Sequence, residues 1–224
     1  MNKAQIQLQN LSKIFGKIEA LKNISINFEP GLMHGLIGPE GAGKTTLMRL
    51  MAGLLSPVEG NVHYSLNGQN VAFEKIRPSI AYMPERQSLY ADLSIAEHLD
   101  FFAQLYHLDE ADYQKKKERL LAITRLDRFL DRPAGKLSGG MYKKLGLICA
   151  LLRSPQILLL DEPTNGVDPI SRREFWEMLY ELKKEQILII VTTAYMDEAE
   201  RCSRAHLIQE GSLLASGAPF ELLK

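Results

Sequence analysis

The stretch GPEGAGKT at residues 38–45 decides how the rest of this 224-residue sequence is interpreted. It fits the pattern G-x-x-x-x-G-K-[ST] in full. A short, nearly all-apolar run at residues 33–37 precedes it, and a polar, helix-forming stretch begins near Lys44 and ends near Gly53. Strand, glycine-rich turn and helix in this order are the context that a phosphate-binding loop requires.

Each residue type in this stretch suits the binding of phosphate. Small residues allow backbone N–H groups to converge on phosphate oxygens, and the following helix directs its positive end at the same point. Lys44 would supply a cation for the outer phosphates, and the Thr45 hydroxyl would be a magnesium ligand. We therefore predict a nucleotide-binding segment formed by Gly38, Pro39, Glu40, Gly41, Ala42, Gly43, Lys44, Thr45 and Thr46.

A second motif supplies carboxylates for the same chemistry. The apolar run at residues 157–160 ends in Asp161 and Glu162. Asp161 would hold Mg²⁺, usually through water, because a hard cation that bridges phosphates prefers oxygen ligands. Glu162 lies one residue further on, where it could orient or deprotonate the attacking water. Two acids after a strand could by themselves begin a turn, and it is their pairing with Lys44 and Thr45 that favours the catalytic interpretation.

The order of the other segments predicts an α/β fold. Residues 6–11 and 21–28 alternate apolar and polar side chains as strands do, which gives an amino-terminal antiparallel β portion. After residues 157–160, a helix is predicted at residues 171–184 and another apolar strand at residues 187–192. Such alternation predicts a mostly parallel sheet flanked by helices.

A helical stretch interrupts this alternation between the two motifs, because apolar side chains recur there at helical spacing. We predict a single domain over residues 1–224. Its catalytic core would comprise residues 1–87 and 154–224, and an α-helical subdomain would be inserted at about residues 88–153.

The charge balance, the two cysteines and the hydropathy of the sequence argue against several classes of protein. The 27 basic and 27 acidic residues balance, which disfavours a nucleic-acid binder, and the lysine run at residues 115–117 is interpreted as a solvated helix face. Cys149 and Cys202 have neither disulfide-framework nor metal-ligand spacing. The amino terminus lacks the apolar core of a signal peptide, and no run of about 18 apolar residues occurs. If this protein takes part in a membrane process, we expect it to act from the cytosolic side, through another polypeptide.

The segment Leu137-Ser138-Gly139-Gly140 narrows the class further. It resembles the signature of ABC (ATP-binding cassette) ATPases, and its distance from Asp161 matches theirs. Ser138, Gly139, Gly140 and the start of the following helix would offer hydrogen-bond donors to a γ-phosphate. In that family these donors act in trans, because two domains meet head to tail around each ATP.

The resemblance extends over essentially the whole chain. Phe15 is similar to the aromatic residue that stacks on adenine, and residues 165–168 are similar to the loop that communicates across the dimer. Residues 82–99 resemble the segment that links the γ-phosphate to a helix of the membrane partner. Among ABC proteins, the sequence is most similar to bacterial drug-efflux cassettes, in particular to the amino-terminal member of a fused pair.

This resemblance implies an ATP-binding and ATP-hydrolysing subunit with a P-loop NTPase core. It implies ATP and Mg²⁺ as cofactors, and as partners a transmembrane permease subunit or domain and a second cassette, either a homodimer mate or a tandem neighbour. It also implies export, a cytoplasmic position on the inner face of the cell membrane and no nucleic acid. The alternatives are a degenerate cassette paired with an active one, and a soluble ABC ATPase outside transport.

Four positions depart from the family pattern. Ala194 stands where a histidine normally contacts the γ-phosphate, and this change predicts slow turnover without loss of binding. Glu85 replaces a glutamine that contacts Mg²⁺ and the attacking water; its carboxylate could still ligate the metal, and Gln87 could take its place only in a shifted register. Glu40 and Met141 replace a small neutral residue and a glutamine, respectively, and both changes are interpreted as mild.

Overall fold

The structure is a computed structural model that describes residues 3–86 and 89–222. Its strands are β1 (Ala4–Phe15), β2 (Ile18–Phe28), β3 (Met33–Ile37), β4 (Glu59–Leu66), β5 (Gln69–Val71), β6 (Ile80–Met83), β7 (Ile157–Leu160), β8 (Leu188–Thr193), β9 (Arg204–Gln209) and β10 (Ser212–Gly217). Its α-helices are α1 (Lys44–Met51), α2 (Phe73–Ile76), α3 (Ile95–Leu105), α4 (Glu110–Thr124), α5 (Gly139–Leu151), α6 (Pro169–Lys184), α7 (Met196–Ala199) and α8 (Pro219–Leu222).

The strands form two sheets. The larger has the order β10-β9-β3-β8-β7-β6, in which every pair is parallel except the β9–β10 pair at one edge. The smaller is antiparallel, with the order β2-β1-β4-β5. The predicted α/β fold, with a mostly parallel sheet and an amino-terminal antiparallel portion, is therefore confirmed.

Strand β7 shows why an all-apolar run becomes a central strand. Its four side chains are all fully buried, and successive side chains enter different cores. Leu158 and Leu160 pack with α5 and α6, whereas Ile157 and Leu159 pack with α1 and the antiparallel sheet. Because side chains alternate across a strand, only a continuous apolar run can satisfy a sheet covered on both faces.

Helices α3, α4 and α5 lie between β6 and β7 in sequence, and each begins at a side chain that caps it. Ser94 and Glu97 form a reciprocal capping box at α3, and Asp109 accepts two backbone N–H groups at α4. At α5 the cap is Ser138. The division into a core and a helical subdomain at about residues 88 and 153 stays a prediction.

None of the helices within residues 3–86 and 89–222 is both long enough and apolar enough to cross a membrane.

Candidate functional site

The predicted phosphate loop lies between the end of β3 and the start of α1. Two of its glycines are required by their surroundings. A Cβ atom on Gly38 would lie 2.0 Å from the carbonyl oxygen of Ile208, and Gly43 has a φ of 104°, in the left-handed region. A Cβ atom on Gly43 would also lie 2.6 Å from the carbonyl oxygen of Ala20. The loop is therefore held close to both sheets.

The Lys44 ammonium group is buried inside this loop. Its Nζ donates to the carbonyl oxygens of Gly38 and Pro39, at 2.7 Å and 3.0 Å. It also lies 3.1 Å from Oε1 of Glu162, and only 6% of the lysine side chain is exposed. A buried cation in contact with backbone dipoles and one carboxylate is a ready counter-charge for phosphate oxygens.

Two of the three predicted magnesium ligands, Thr45 and Asp161, are neighbours. The Thr45 hydroxyl donates to Oδ1 of Asp161 at 3.1 Å, and the Thr192 hydroxyl donates to the same oxygen at 2.8 Å. The hydroxyl of Tyr82 donates to Oδ2 at 3.2 Å. Burial, reinforced by the Asp161 carboxylate, raises the pKa of Tyr82 to about 12. Asp161 is thereby fixed as a buried carboxylate with donors on both oxygens.

This donor set fits Mg²⁺ held together with a nucleotide. Among the described residues, no group of three or more His, Cys, Asp or Glu side chains could hold a metal ion alone. Mg²⁺ usually takes one or two protein oxygens and completes its shell with water and phosphate oxygens. Thr45 and Asp161 supply that number, so we expect the remaining ligands to come from the phosphates and from water, and ligation by Glu85, which lines the same cavity as Thr45, stays a prediction.

Glu162 is placed at the cavity by an uncommon backbone conformation. Its φ is 46°, which is rare for a residue with a side chain. Its N–H donates to the Thr192 hydroxyl at 2.8 Å, so Thr192 contacts both acids of the motif. The carboxylate is 13% exposed beside Lys44. Strain of this kind concentrates at functional sites, and here it turns the second acid toward the loop.

Glu85 is held at two points. Its carboxylate accepts from Nδ2 of Asn165 at 3.2 Å, and its carbonyl oxygen accepts from Nζ of Lys143 at 2.8 Å. Neither Asn165 nor Lys143 was among the predicted ligands. Gln87, the alternative in a shifted register, lies outside the described residues.

A cavity of about 670 Å³ joins these groups. Many of the predicted residues line it: Glu40, Gly41, Ala42, Gly43, Lys44, Thr45, Thr46, Glu85 and Glu162. Its other wall comes from the β2 strand, the β9–β10 turn and the segments after β7 and β8: Ile18, Glu19, Ala20, Lys22, Glu210, Gly211, Asn165 and Tyr195, with Ala194 already noted. Asn165 belongs to the predicted dimer loop, but its place at this cavity was not predicted. The residues of β2 and of the β9–β10 turn reach the cavity through the packing of the two sheets, to which no local motif corresponds.

Phe15 does not line this cavity in the structure. Its ring is 45% exposed and packs beneath Nζ of Lys13, at 5.2 Å from the ring centroid. The apolar side chain that lines the cavity near this hairpin is Ile18, which is 71% exposed. The stacking of adenine on Phe15 stays a prediction.

The signature residues lie apart from the cavity. Ser138 caps α5 by accepting from the N–H of Met141 at 3.3 Å, and Gly139 follows it. A Cβ atom on Gly140 would lie 2.4 Å from atoms of Ser171, so this glycine lets α5 approach α6. None of these three signature residues lines the cavity within the described chain. Their γ-phosphate contact in trans stays a prediction.

Ala194 lines the cavity, and no histidine among the described residues does so. His206, which is nearest in sequence, is buried on β9. Its Nε2 lies 3.0 Å from Nδ1 of His34, and its Nδ1 lies 2.7 Å from the hydroxyl of Ser216. Both of its ring nitrogens are thus engaged away from the loop.

The buried carboxylate of Glu198 helps to hold the residues on either side of Ala194. Glu198 on α7 is 1% exposed and accepts from the hydroxyls of Thr164 and Thr193, both at 2.6 Å. The Thr193 hydroxyl in turn accepts from the N–H of Tyr195 at 3.0 Å. The segment that carries Ala194 is therefore tied to the segment that follows Glu162.

The fold and this site define a nucleotide-binding domain of the phosphate-loop class. Residues 21–165 match the family model described as ABC transporter, and the chain belongs to that family as an ATP-binding portion. It is 44% identical over 230 residues to the probable multidrug ABC transporter ATP-binding protein YbhF of Escherichia coli K12. It is also 35% identical over 223 residues to a Nod factor export ATP-binding protein I of Cupriavidus metallidurans.

Solved structures agree with this assignment. One described as the ATP-binding subunit of an ABC transporter superposes with a TM-score of 0.82 at 32% identity, over 96% of this chain and 90% of that one. The cbiO1 component of the Clostridium perfringens cbiONQ complex gives a TM-score of 0.87 at 27% identity, over 99% and 91%.

The curated relatives are longer than this chain. The match includes 99% of this chain but 39% of the Escherichia coli protein, and 98% of this chain and 73% of the Cupriavidus protein.

Proposed function

We propose that this domain binds Mg²⁺-ATP in the cavity beside the phosphate loop and hydrolyses it to drive export through a transmembrane partner. Membership in the ABC transporter family implies ATP hydrolysis, and the names of the relatives point to export. The observation that carries the proposal is the convergence of two motifs more than a hundred residues apart in sequence: Lys44, Thr45 and Glu162 line one cavity, and buried Asp161 accepts from the Thr45 hydroxyl.

Each of these four residues has one role in the proposed reaction. The backbone of the loop and Lys44 would bind the phosphates, and Thr45 with Asp161 would hold the metal ion. Bound Mg²⁺ would neutralise charge that develops on the phosphate oxygens. Glu162 orients the attacking water or accepts its proton, and its contact with Lys44 keeps its charge beside the reacting group. Glu85 is proposed as a further metal or water contact.

We further propose that turnover is slow. The methyl group of Ala194 can neither donate to a γ-phosphate nor hold Glu162. A positioned acid–base group contributes about 10²- to 10⁴-fold in rate, and its loss leaves binding intact. The second candidate is a degenerate cassette that holds ATP while a partner cassette hydrolyses another, and it is favoured by Ala194 together with Glu85.

The proposed assembly contains two cassettes and a permease. Ser138, Gly139 and Gly140 would contact the ATP of the opposite cassette, which explains their distance from the cavity of their own chain. The second cassette is either another copy or a tandem neighbour, and the tandem form is in keeping with the greater length of the Escherichia coli relative. Phe15 is retained only as a proposed adenine contact, with Ile18 as the residue that the cavity favours. The assembly would lie on the inner face of the cell membrane, without nucleic acid.

The direct test is equilibrium dialysis of ATP with and without Mg²⁺. We expect the unaltered chain to bind ATP and expect Lys44→Ala to bind it at least about tenfold more weakly, because a charge-assisted contact is lost. Asp161→Asn should remove the dependence on Mg²⁺ and retain metal-free binding. Lys116→Gln, on the distant helix α4, is the matched control for removal of a lysine charge. Equal binding by the unaltered chain and Lys44→Ala would refute the proposal.

A further inference from the structure

The cavity beside the phosphate loop is unusually rich in negative charge for a site that would hold an anion. Among the described residues, five glutamates and two lysines line it, the glutamates being Glu19, Glu40, Glu85, Glu162 and Glu210 and the lysines Lys22 and Lys44. Lys44 already lies against Glu162. A carboxylate close to a phosphate oxygen repels it strongly where water is sparse. Acidic side chains that line the cavity must therefore be held where they do not repel the phosphates of a bound nucleotide.

Glu85 is the acid whose position the structure controls from two elements. Asn165, after β7, donates to its carboxylate at 3.2 Å. Lys143, on α5, donates to its carbonyl oxygen at 2.8 Å. A side-chain amide and an ammonium group thus hold the side chain and the backbone of the same residue. Glu85 is otherwise exposed and belongs to a connecting segment, so no core packing fixes it.

Lys143 is directed at the catalytic edge of its own domain. It is partly buried, and burial lowers the pKa of its ammonium group, while the carboxylates of Glu85, Asp161 and Glu162 act in the opposite direction. A lysine on a helix surface can extend into water at little cost. Lys143 is instead partly buried, with its Nζ on the carbonyl oxygen of Glu85, so its charge is placed at the segment that carries this acid.

We propose that Lys143 is a positioning residue that holds Glu85, together with Asn165, so that its carboxylate can face metal or water and does not turn onto the phosphate oxygens of bound ATP. This inference rests on the proposed function. It gives a role to Lys143, the fifth residue of α5, and it explains how a carboxylate is accommodated at position 85. Lys143 would have no contact with the nucleotide itself.

The test is a double-mutant cycle on Mg²⁺-ATP affinity at low ionic strength, with Lys143→Gln, Glu85→Gln and the double variant. Lys143→Gln should weaken binding about tenfold when Glu85 is present, because release of the Glu85 backbone weakens the hold on the residue and lets its carboxylate turn toward the phosphates. In the Glu85→Gln background the same change should weaken binding no more than about threefold. Lys143→Arg should restore affinity to within about threefold, because its guanidinium keeps the charge and the donor.

Controls separate positioning from a general loss of charge or of folding. Lys116→Gln removes a lysine that is paired with Asp112 on α4 and should leave affinity unchanged. Thermal unfolding checks each variant, and Lys143→Met replaces Lys143→Gln in the cycle if the latter fails to fold. Equal losses in the unaltered and the Glu85→Gln backgrounds would overturn this inference alone. An unaltered chain that binds no Mg²⁺-ATP at millimolar concentration would overturn the proposed function, and this inference with it.

Discussion

Acidification should destabilise this domain through one buried pair of histidines. His34 and His206 are both almost fully buried, with Nδ1 of His34 at 3.0 Å from Nε2 of His206. Burial, the largest cause, lowers the pKa of His34 from 6.5 to about 4 and that of His206 to about 3. Glu29 lies 3.6 Å from His34 and opposes the shift, whereas Arg204 adds to it.

The sign and the size of the effect follow from these values. Because the pKa is lower in the folded state, the unfolded chain binds protons first as the pH falls. The contribution of this histidine pair to the free energy of unfolding is therefore fully present above about pH 6.5. It is lost progressively as the pH falls toward the pKa values of the folded state. Between about pH 7.5 and about pH 5.5, each histidine lowers the free energy of unfolding by about 1.4 kcal/mol, so the pair lowers it by about 3 kcal/mol.

Urea denaturation at these two pH values measures the effect as a difference in the free energy of unfolding. The double variant His34→Gln/His206→Gln should be less stable overall and should lose most of the dependence on pH. His63→Gln alters a partly exposed histidine on β4, paired with Gln9, and should keep the dependence. A change of less than about 1 kcal/mol in the unaltered chain would show that this reasoning is wrong. So would a double variant that retains the full pH dependence.

Three further substitutions test the site. Gly38→Ala should abolish Mg²⁺-ATP binding in dialysis, because its Cβ would lie 2.0 Å from the Ile208 carbonyl oxygen; retained affinity would contradict the geometry. Ala194→His should raise steady-state turnover, by up to about 10²-fold, and an unchanged rate would mean that another step limits it. Ser138→Ala should lower the free energy of unfolding by about 1 kcal/mol in urea through loss of the helix cap, and no change would contradict the capping role.

Local pattern was sufficient for the buried strands. β3 and β7 begin and end at the predicted residues: the nearly all-apolar run of β3 stops at Gly38, and the apolar run of β7 lies between Gln156 and Asp161. The lengths of longer elements were underestimated. β1 extends to Phe15 although its pattern is interrupted, since Asn10 has a φ of 49° where the register with β2 shifts. α6 begins at Pro169 instead of residue 171, because proline suits the first turn of a helix capped by Asp168.

The candidate site divides in the same way. Lys44, Thr45, Asp161 and Glu162 belong to motifs whose spacing is set within a few residues, so the sequence predicts them directly. Ile18 and the Glu210-Gly211 turn reach the cavity only through the packing of two sheets, as the donation from the N–H of Lys22 to the carbonyl of Gly211 at 2.7 Å illustrates. The contact of Lys143 with Glu85 joins residues 58 apart and has no motif at all.

The order of strands in the sheets could not be predicted from the sequence either. Strand β3 lies between β8 and β9, which come more than 150 residues later in the chain. Apolar runs of similar composition carry no information about which of them are neighbours. Only the constraint that phosphate-loop and acidic motifs lie at the same edge of a parallel sheet limits the choices.

The most direct test of the account is Mg²⁺-dependent ATP turnover by the purified chain at high protein concentration, beside Lys44→Ala and Glu162→Gln. We expect slow turnover that both variants abolish, with ATP binding retained by Glu162→Gln and weakened at least about tenfold by Lys44→Ala. Turnover that survives Glu162→Gln, or an unaltered chain that neither binds nor hydrolyses ATP at millimolar concentration, would contradict it.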